Sequence, residues 1–228
     1  MTRVYDLFSQ GGLVMWPLLV LSIFTITCAL ERVWFWFRLL SQEDRIVRDV
    51  LEAARSSLRK AAEIAAQATY LPIGRFLLAP LKLNQPTPET FRLAMEAAGD
   101  KEFIQMRRGD KFLETVVAVA PLLGLLGTVT GLIATFNSLN IGGGTAEEAS
   151  RAAAGIGEAL ITTAAGMIVA IIALLVFRAL VSLQTRQMDY FSEVGSELEL
   201  IYREIWYEPS LKRTAAPPGS YTDESITR

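Results

Sequence analysis

The stretch ETVVAVAPLLGLLGTVTGLIATFNSL, residues 114–139, carries no charge after Glu114, and none follows until Glu147. A bilayer's hydrocarbon core takes about 20 helical residues, so this run is long and apolar enough to cross it. Gly124, Gly127 and Gly131 recur at spacings of three and four. They form one small-residue stripe against which a second helix can pack closely. Thr128 and Thr130 add hydroxyls able to hydrogen-bond across a helix interface or line a wet path. Pro121 falls inside the run, where it removes one intrahelical hydrogen bond and can bend the helix.

Working outward, two further apolar runs flank this one. Residues 13–30 carry no charge and end in Glu31-Arg32 and the belt Trp34-Phe35-Trp36-Phe37-Arg38, the pattern of a membrane helix meeting a headgroup layer. Glu31 beside Arg32 reads as an interfacial pair, with a buried functional carboxylate as the alternative. The third run, residues 159–177, is bounded by Glu158 and Arg178. Composition agrees: 51% of the 228 residues are hydrophobic and 20% charged, natural for a small polytopic membrane protein. The predicted fold is all-α, a polytopic membrane protein with three transmembrane helices, the second and third extended into the cytoplasm.

Residues 39–111 are of a different character. A helical pattern with one modest apolar face covers 41–67, and Asn84-Gln85-Pro86-Thr87-Pro88 is a break. A helix restarts with Thr87 as N-cap and Pro88 at its first position. It is expected to run without interruption into the membrane span, with the charge run 101–111 as its solvated face. A further amphipathic helix follows the third span and is expected to stop at Pro209. The segments expected are a lead with the first span (1–38), a cytoplasmic helical segment (39–111), the second span (112–140), an external turn (141–151), the third span (152–183), a cytoplasmic helix (184–208) and a disordered tail (209–228). No basic n-region with a small-residue cleavage site opens the chain, so no cleaved signal peptide is expected.

Basic residues predict orientation. Arg38 to Lys111 inclusive hold thirteen Lys and Arg, whereas residues 140–157 hold only Arg151. The positive-inside rule puts 39–111 and the C-terminus in the cytoplasm and the N-terminus outside.

The same composition excludes several functions. A net charge of −2 argues against a nucleic-acid partner, which needs a basic face. There is no histidine, so the commonest general base and metal ligand are missing. The one cysteine, Cys28, lies in an apolar run and builds no disulfide framework. No metal-ligand cluster and no nucleophile–base pair is legible. The chain reads as no enzyme, with no cofactor and no metal, and with membrane lipid around its apolar runs. No internal repeat or broken-helix pair marks a solute transporter.

Glu158 is the residue on which function turns. An ionisable group at the edge of a membrane span is costly and a functional candidate by default. Desolvation raises a carboxyl's pKa, and neighbouring hydroxyls can relay protons or hold water. The alternative is a carboxylate in water at the outer interface, and the sequence leaves both open. On an ideal helix Thr162 sits about 40° round from Glu158 and Thr163 about 140°, which favours Thr162 as its neighbour. Gly155, Gly157, Ala164, Ala165 and Gly166 give this helix a thin wall that packs closely.

The strings Ala120-Pro121-Leu122-Leu123-Gly124-Leu125-Leu126-Gly127-Thr128-Val129-Thr130-Gly131 and Gly155-Ile156-Gly157-Glu158-Ala159-Leu160-Ile161-Thr162-Thr163-Ala164-Ala165-Gly166 closely resemble the MotA/TolQ/ExbB proton-channel family over roughly residues 8–205. Length and three spans resemble the ExbB/TolQ branch, the MotA branch having four. The resemblance implies a homopentamer whose second and third spans line a central pore. That pore would hold an ExbD- or TolR-like single-span partner whose membrane aspartate passes protons. It also implies an inner-membrane location and delivery of work through a TonB- or TolA-like protein, for instance to iron-chelate uptake. By motif, Thr128, Glu158 and Thr163 match the family's polar pore residues, so the resemblance prefers Thr163 where helix geometry prefers Thr162. Two departures from the pattern stand out. Ile172 stands where the family usually has a proline, and Phe177-Arg178 where it usually has Tyr-Asn. An ExbB-like role in uptake leads, a TolQ-like role in envelope integrity is the alternative, and a non-conducting membrane scaffold is the reading from a different class.

Overall fold

The computed structural model describes residues 13–138 and 146–215, and every described element is helical. In chain order these are α1 (Met15–Leu40), α2 (Glu43–Ser56), α3 (Leu58–Gln67), α4 (Pro72–Leu81), α5 (Pro88–Met106), α6 (Asp110–Ser138) and α7 (Ala146–Ile201). A π-helical segment, Tyr202–Tyr207, and α8 (Glu208–Ala215) complete the series. Three helical stretches are long and apolar enough to cross a membrane, and their apolar windows are only 17%, 22% and 22% buried. The chain is an all-α polytopic membrane protein. The lead 1–12, the Asn140–Gly144 turn and residues 216–228 lie outside the described residues.

The chain divides into two compact units. The first takes the chain up to Phe37 together with Arg107–Thr185. Its core is Leu18 of α1, Val116 and Ala120 of α6, and Ala170 and Ala173 of α7. Small side chains dominate there, as expected where close backbone approach rather than expulsion of water holds helices together. Gln184 of α7 donates to the Asp110 carboxylate at the start of α6, 2.9 Å from Oδ2. The aromatic belt divides by face: Trp34 and Phe37 point outward and Trp36 is buried. Arg32 is buried while Glu31 is exposed, so the carboxylate of that pair is not the buried member. The guanidinium lies 5.4 Å from the Phe35 ring centroid.

The second unit takes Arg38–Met106 and the chain from Arg186. Its core is of the water-soluble kind, with larger side chains: Val50, Ile73, Phe76, Leu77, Phe91, Met95, Phe191 and Leu198. Phe76 and Phe103 both pack on Phe191, at 4.8 Å and 5.2 Å between centroids. Phe91 stacks on Tyr202 at 4.3 Å. Two buried carboxylates are each held by hydrogen-bond donors, as burial requires. Gln187 Nε2 lies 2.8 and 2.7 Å from the two Glu43 oxygens. Arg75 Nε donates to Glu102 Oε1 at 2.7 Å, and this hydrogen bond, against the opposing effect of burial, raises the Arg75 pKa.

Several expectations are met and several corrected. Pro88 opens α5, with the Thr90 amide donating to Thr87 Oγ1 at 3.2 Å, the predicted N-cap. The pattern over 41–67 is two helices rather than one, broken at Ser57, whose side chain accepts from the Lys60 amide and caps α3. The helix from Pro88 does not run unbroken into the span. It ends at Met106, and Gly109 turns the chain at φ 94° before α6. That left-handed conformation is open to glycine without steric penalty. Glu102, placed on the solvated face, is buried on the Arg75 side instead. The third long helix begins at Ala146, so part of the expected external turn, 146–151, is helical. Pro209 does not stop the last helix. The Glu208 amide already bonds five residues back to the Arg203 carbonyl, and this wider π turn has shifted the i→i−4 ladder that a proline would break.

Candidate functional site

The glycine stripe of α6 faces α7. A methyl group at Gly124 would stand 3.0 Å from Thr163 Cα and 3.2 Å from the Thr162 carbonyl oxygen. At Gly127 it would collide with the Thr162 side chain, and at Gly131 it would lie 3.0 Å from Ala159 Cβ. The relation is reciprocal. At Gly155 the collision is with the Thr135 hydroxyl, and at Gly166 the methyl would be 3.0 Å from Gly124 Cα. Pro121 is part-buried within α6, which continues through it to Ser138.

This approach seats the threonines in different ways. The Thr163 hydroxyl donates to the Gly124 carbonyl at 2.8 Å, a hydrogen bond between helices. Thr162 is 1% exposed, lies against Gly127, and donates to the Glu158 backbone carbonyl at 3.1 Å. Thr128 donates within its own helix to the Leu125 carbonyl at 2.7 Å. Thr135 is buried and donates to Gly131 at 2.8 Å.

Beside this seam an open groove of ≈ 820 Å³ is lined by Gly127, Thr130, Gly131, Thr135, Arg151, Gly155, Glu158 and Thr162, with Leu13 and Val14 at one edge. Glu158 and Thr162 therefore share the groove, whereas Thr128 and Thr163 are not among its lining residues. Thr135 and Arg151 belong to it without having been singled out from sequence. Arg151 stands seven residues before Glu158, about 20° away on an ideal helix, so helical periodicity alone could have found it. The Arg151 guanidinium is 3.1 Å from Glu147 Oε1. The groove thus brings one acid and one base to walls made largely of glycine, alanine and threonine. Among the described residues no group of His, Cys, Asp or Glu converges as a metal site.

Residues 68–193 match the model of the MotA/TolQ/ExbB proton channel family. The chain belongs to that family. The matched region takes in the whole glycine seam, Glu158, Thr162 and Thr163. An ExbB-like protein 1 of Synechocystis sp., named as a biopolymer transport protein, is 73% identical over 208 residues, covering 91% of this chain and 82% of the relative. ExbB-like protein 3 of the same organism is 38% identical over 90% of this chain and 98% of its own length. The Tol-Pal system protein TolQ of Haemophilus influenzae is 32% identical, over 55% of this chain and 56% of that protein. Within the family the chain is ExbB-like.

Proposed function

We propose that this chain is the ring subunit of a proton-motive-force-driven motor in the bacterial inner membrane, ExbB-like in role, that energises TonB-dependent outer-membrane transport such as iron-chelate uptake. The carrying observation is Glu158, an ionisable side chain within an apolar helical stretch, set in a groove with Thr162 and Thr130. A carboxyl in that setting can take up and release a proton, and the hydroxyls beside it can hold water on the way. Thr128 and Thr163 complete the polar set matched by family motif, and the packing residues Pro121, Gly124, Gly127, Gly131, Gly155 and Gly166 hold the helices that carry it.

In this reading five copies surround a pore that holds an ExbD- or TolR-like single-span protein, which couples to a TonB- or TolA-like protein. Much of the surface of α6 and α7 supports assembly with lipid and other helices: Leu122, Leu125, Ile168 and Leu175 are each more than half exposed. The N-terminus is periplasmic, and residues 39–111 and the C-terminus are cytoplasmic, on the strength of the basic residues. A TolQ-like role in envelope integrity is the second reading, favoured by the match to TolQ.

Native mass spectrometry of the complex, purified gently from its own membrane, tests the proposal. Five copies with a small single-span protein are expected, and that protein's identity separates uptake from envelope maintenance. A monomer or dimer, reproducible in mild detergent, would overturn the ring.

A further inference from the structure

The second unit holds a groove of ≈ 960 Å³ walled by α3, the turn after α4, the π-helical segment and the start of α8. That volume is at the upper end of the roughly 300–1,000 Å³ typical of small-molecule sites. Its lining charges are all of one sign. Arg59 and Lys82 line it, and no carboxylate does among the described residues, although the whole chain carries net charge −2. Arg59 is in an exposed ion pair with Glu63 at 3.3 Å, an arrangement worth little in water and readily exchanged. Lys82 is exposed and has no ion pair among the described residues.

Backbone geometry singles out the same place. Gln85, beside Lys82 and Asn84 in the lining, is the one non-glycine residue at positive φ, 48°, among the described residues. Such conformations tend to concentrate at ligand-holding sites. The π-helical segment also lines the groove, an irregularity likewise frequent at functional sites. It presents two part-exposed aromatic rings. The Trp206 indole is anchored by its N–H to the Ala54 carbonyl at 2.9 Å. Tyr207 lies 6.4 Å from Tyr202. Behind them Tyr202 is locked, stacked on Phe91 and donating to the Pro86 carbonyl at 2.6 Å. Trp206 and Tyr202 are thus fixed by hydrogen bonds, and Lys82, Asn84 and Gln85 of the turn line the same groove.

From these features we infer that the groove binds a nucleoside phosphate. Lys82 and Arg59 take the phosphate through charge-assisted hydrogen bonds, Asn84 and Gln85 supply amide donors and acceptors, and the base lies against Tyr207 and Trp206. A bare inorganic anion would leave most of the volume and all of the aromatic wall unused. An uncharged ring would leave Lys82 without a counter-charge and Arg59 with only its exposed Glu63 pair. The inference does not depend on the proton-conducting reading, since it uses no residue of the glycine seam or of the Glu158 groove.

The experiment is isothermal titration of ADP into the full-length protein in detergent, with inorganic phosphate, adenosine and phosphatidylglycerol vesicles as separate arms. ADP is expected to bind, with phosphate and adenosine alone each weaker by about tenfold or more, the loss of one class of contact. Lys82→Glu and Tyr207→Ala are each expected to weaken ADP by about tenfold. Lys82 is exposed, so its replacement leaves the core intact. No ADP binding, ADP binding untouched by Lys82→Glu or by Tyr207→Ala, or phosphate, adenosine or lipid vesicles binding as tightly as ADP would each overturn the inference.

Discussion

The hydroxyl of Thr163 donates across 2.8 Å to the backbone carbonyl of Gly124. A threonine in a helix commonly turns its hydroxyl back to its own carbonyl four residues earlier, as Thr162 does here to Glu158. Thr163 instead reaches the neighbouring helix, because a residue without a side chain stands opposite it. The bond ties the helix that carries Glu158 to the helix that carries the glycine stripe. Thr163→Val keeps the shape and removes the donor, and is expected to destabilise the α6–α7 pair by about 0.5–2 kcal/mol. Thr163→Ser keeps the donor and is expected to stay near wild type. Thermal unfolding of the two variants in the same detergent checks this, and equal behaviour would remove the bond's structural role.

Gly127 has less room than any side chain needs. A methyl group there collides with the Thr162 side chain, and forced overpacking costs roughly 1–3 kcal/mol. Gly127→Ala is therefore expected to lower thermal stability. Pairing it with Thr162→Ser, which deletes the colliding methyl, is expected to recover part of the loss. A double variant no better than Gly127→Ala would place the cost on the Thr162 Cβ, which serine keeps and which lies 2.7 Å from the added methyl.

Glu158→Gln keeps size and hydrogen bonding but cannot release a proton. If Glu158 carries protons, this variant assembles normally and loses proton flux in proteoliposomes, by at least about tenfold for removal of a proton-transfer group. A chain that only scaffolds the membrane would keep both its assembly and its phenotype, and that result would return Glu158 to the role of an interfacial carboxylate.

Gln187 holds a buried carboxylate. Its amide nitrogen lies within 2.8 Å of both Glu43 oxygens, and both side chains are 3% exposed. Gln187→Leu leaves the carboxylate without that partner and is expected to cost about 1–3 kcal/mol or more, the desolvation penalty of an orphaned buried group. Glu43→Gln replaces a charge by an amide that can still pair, and is expected to cost less. Urea-dependent proteolysis of the full-length protein reads both.

The short-range features were legible in the chain. Three uncharged runs mark three helices able to cross a membrane, because hydrophobic length needs no knowledge of packing. The N-cap at Thr87 and the glycine stripe at Gly124, Gly127 and Gly131 depend on spacings within one turn or two. What the sequence could not decide is where one helix meets another. Ideal helix geometry pointed to Thr162 as the neighbour of Glu158, family motif to Thr163 as a polar pore residue, and the packed helices give each a different partner. Thr162 shares the Glu158 groove, and Thr163 bonds to Gly124. Glu102 reads as one charge in a solvated run, yet Arg75, twenty-seven residues earlier, draws it inside. Pro209 reads as a stop, yet a π turn before it shifts the ladder that it would break. Hydrophobic length and local spacing are properties of consecutive residues, so the sequence alone determined the spans and the small-residue seam. Helix partners, ion-pair choice and the tolerance of a proline depend on atoms brought together from distant positions, and only the tertiary structure decided those.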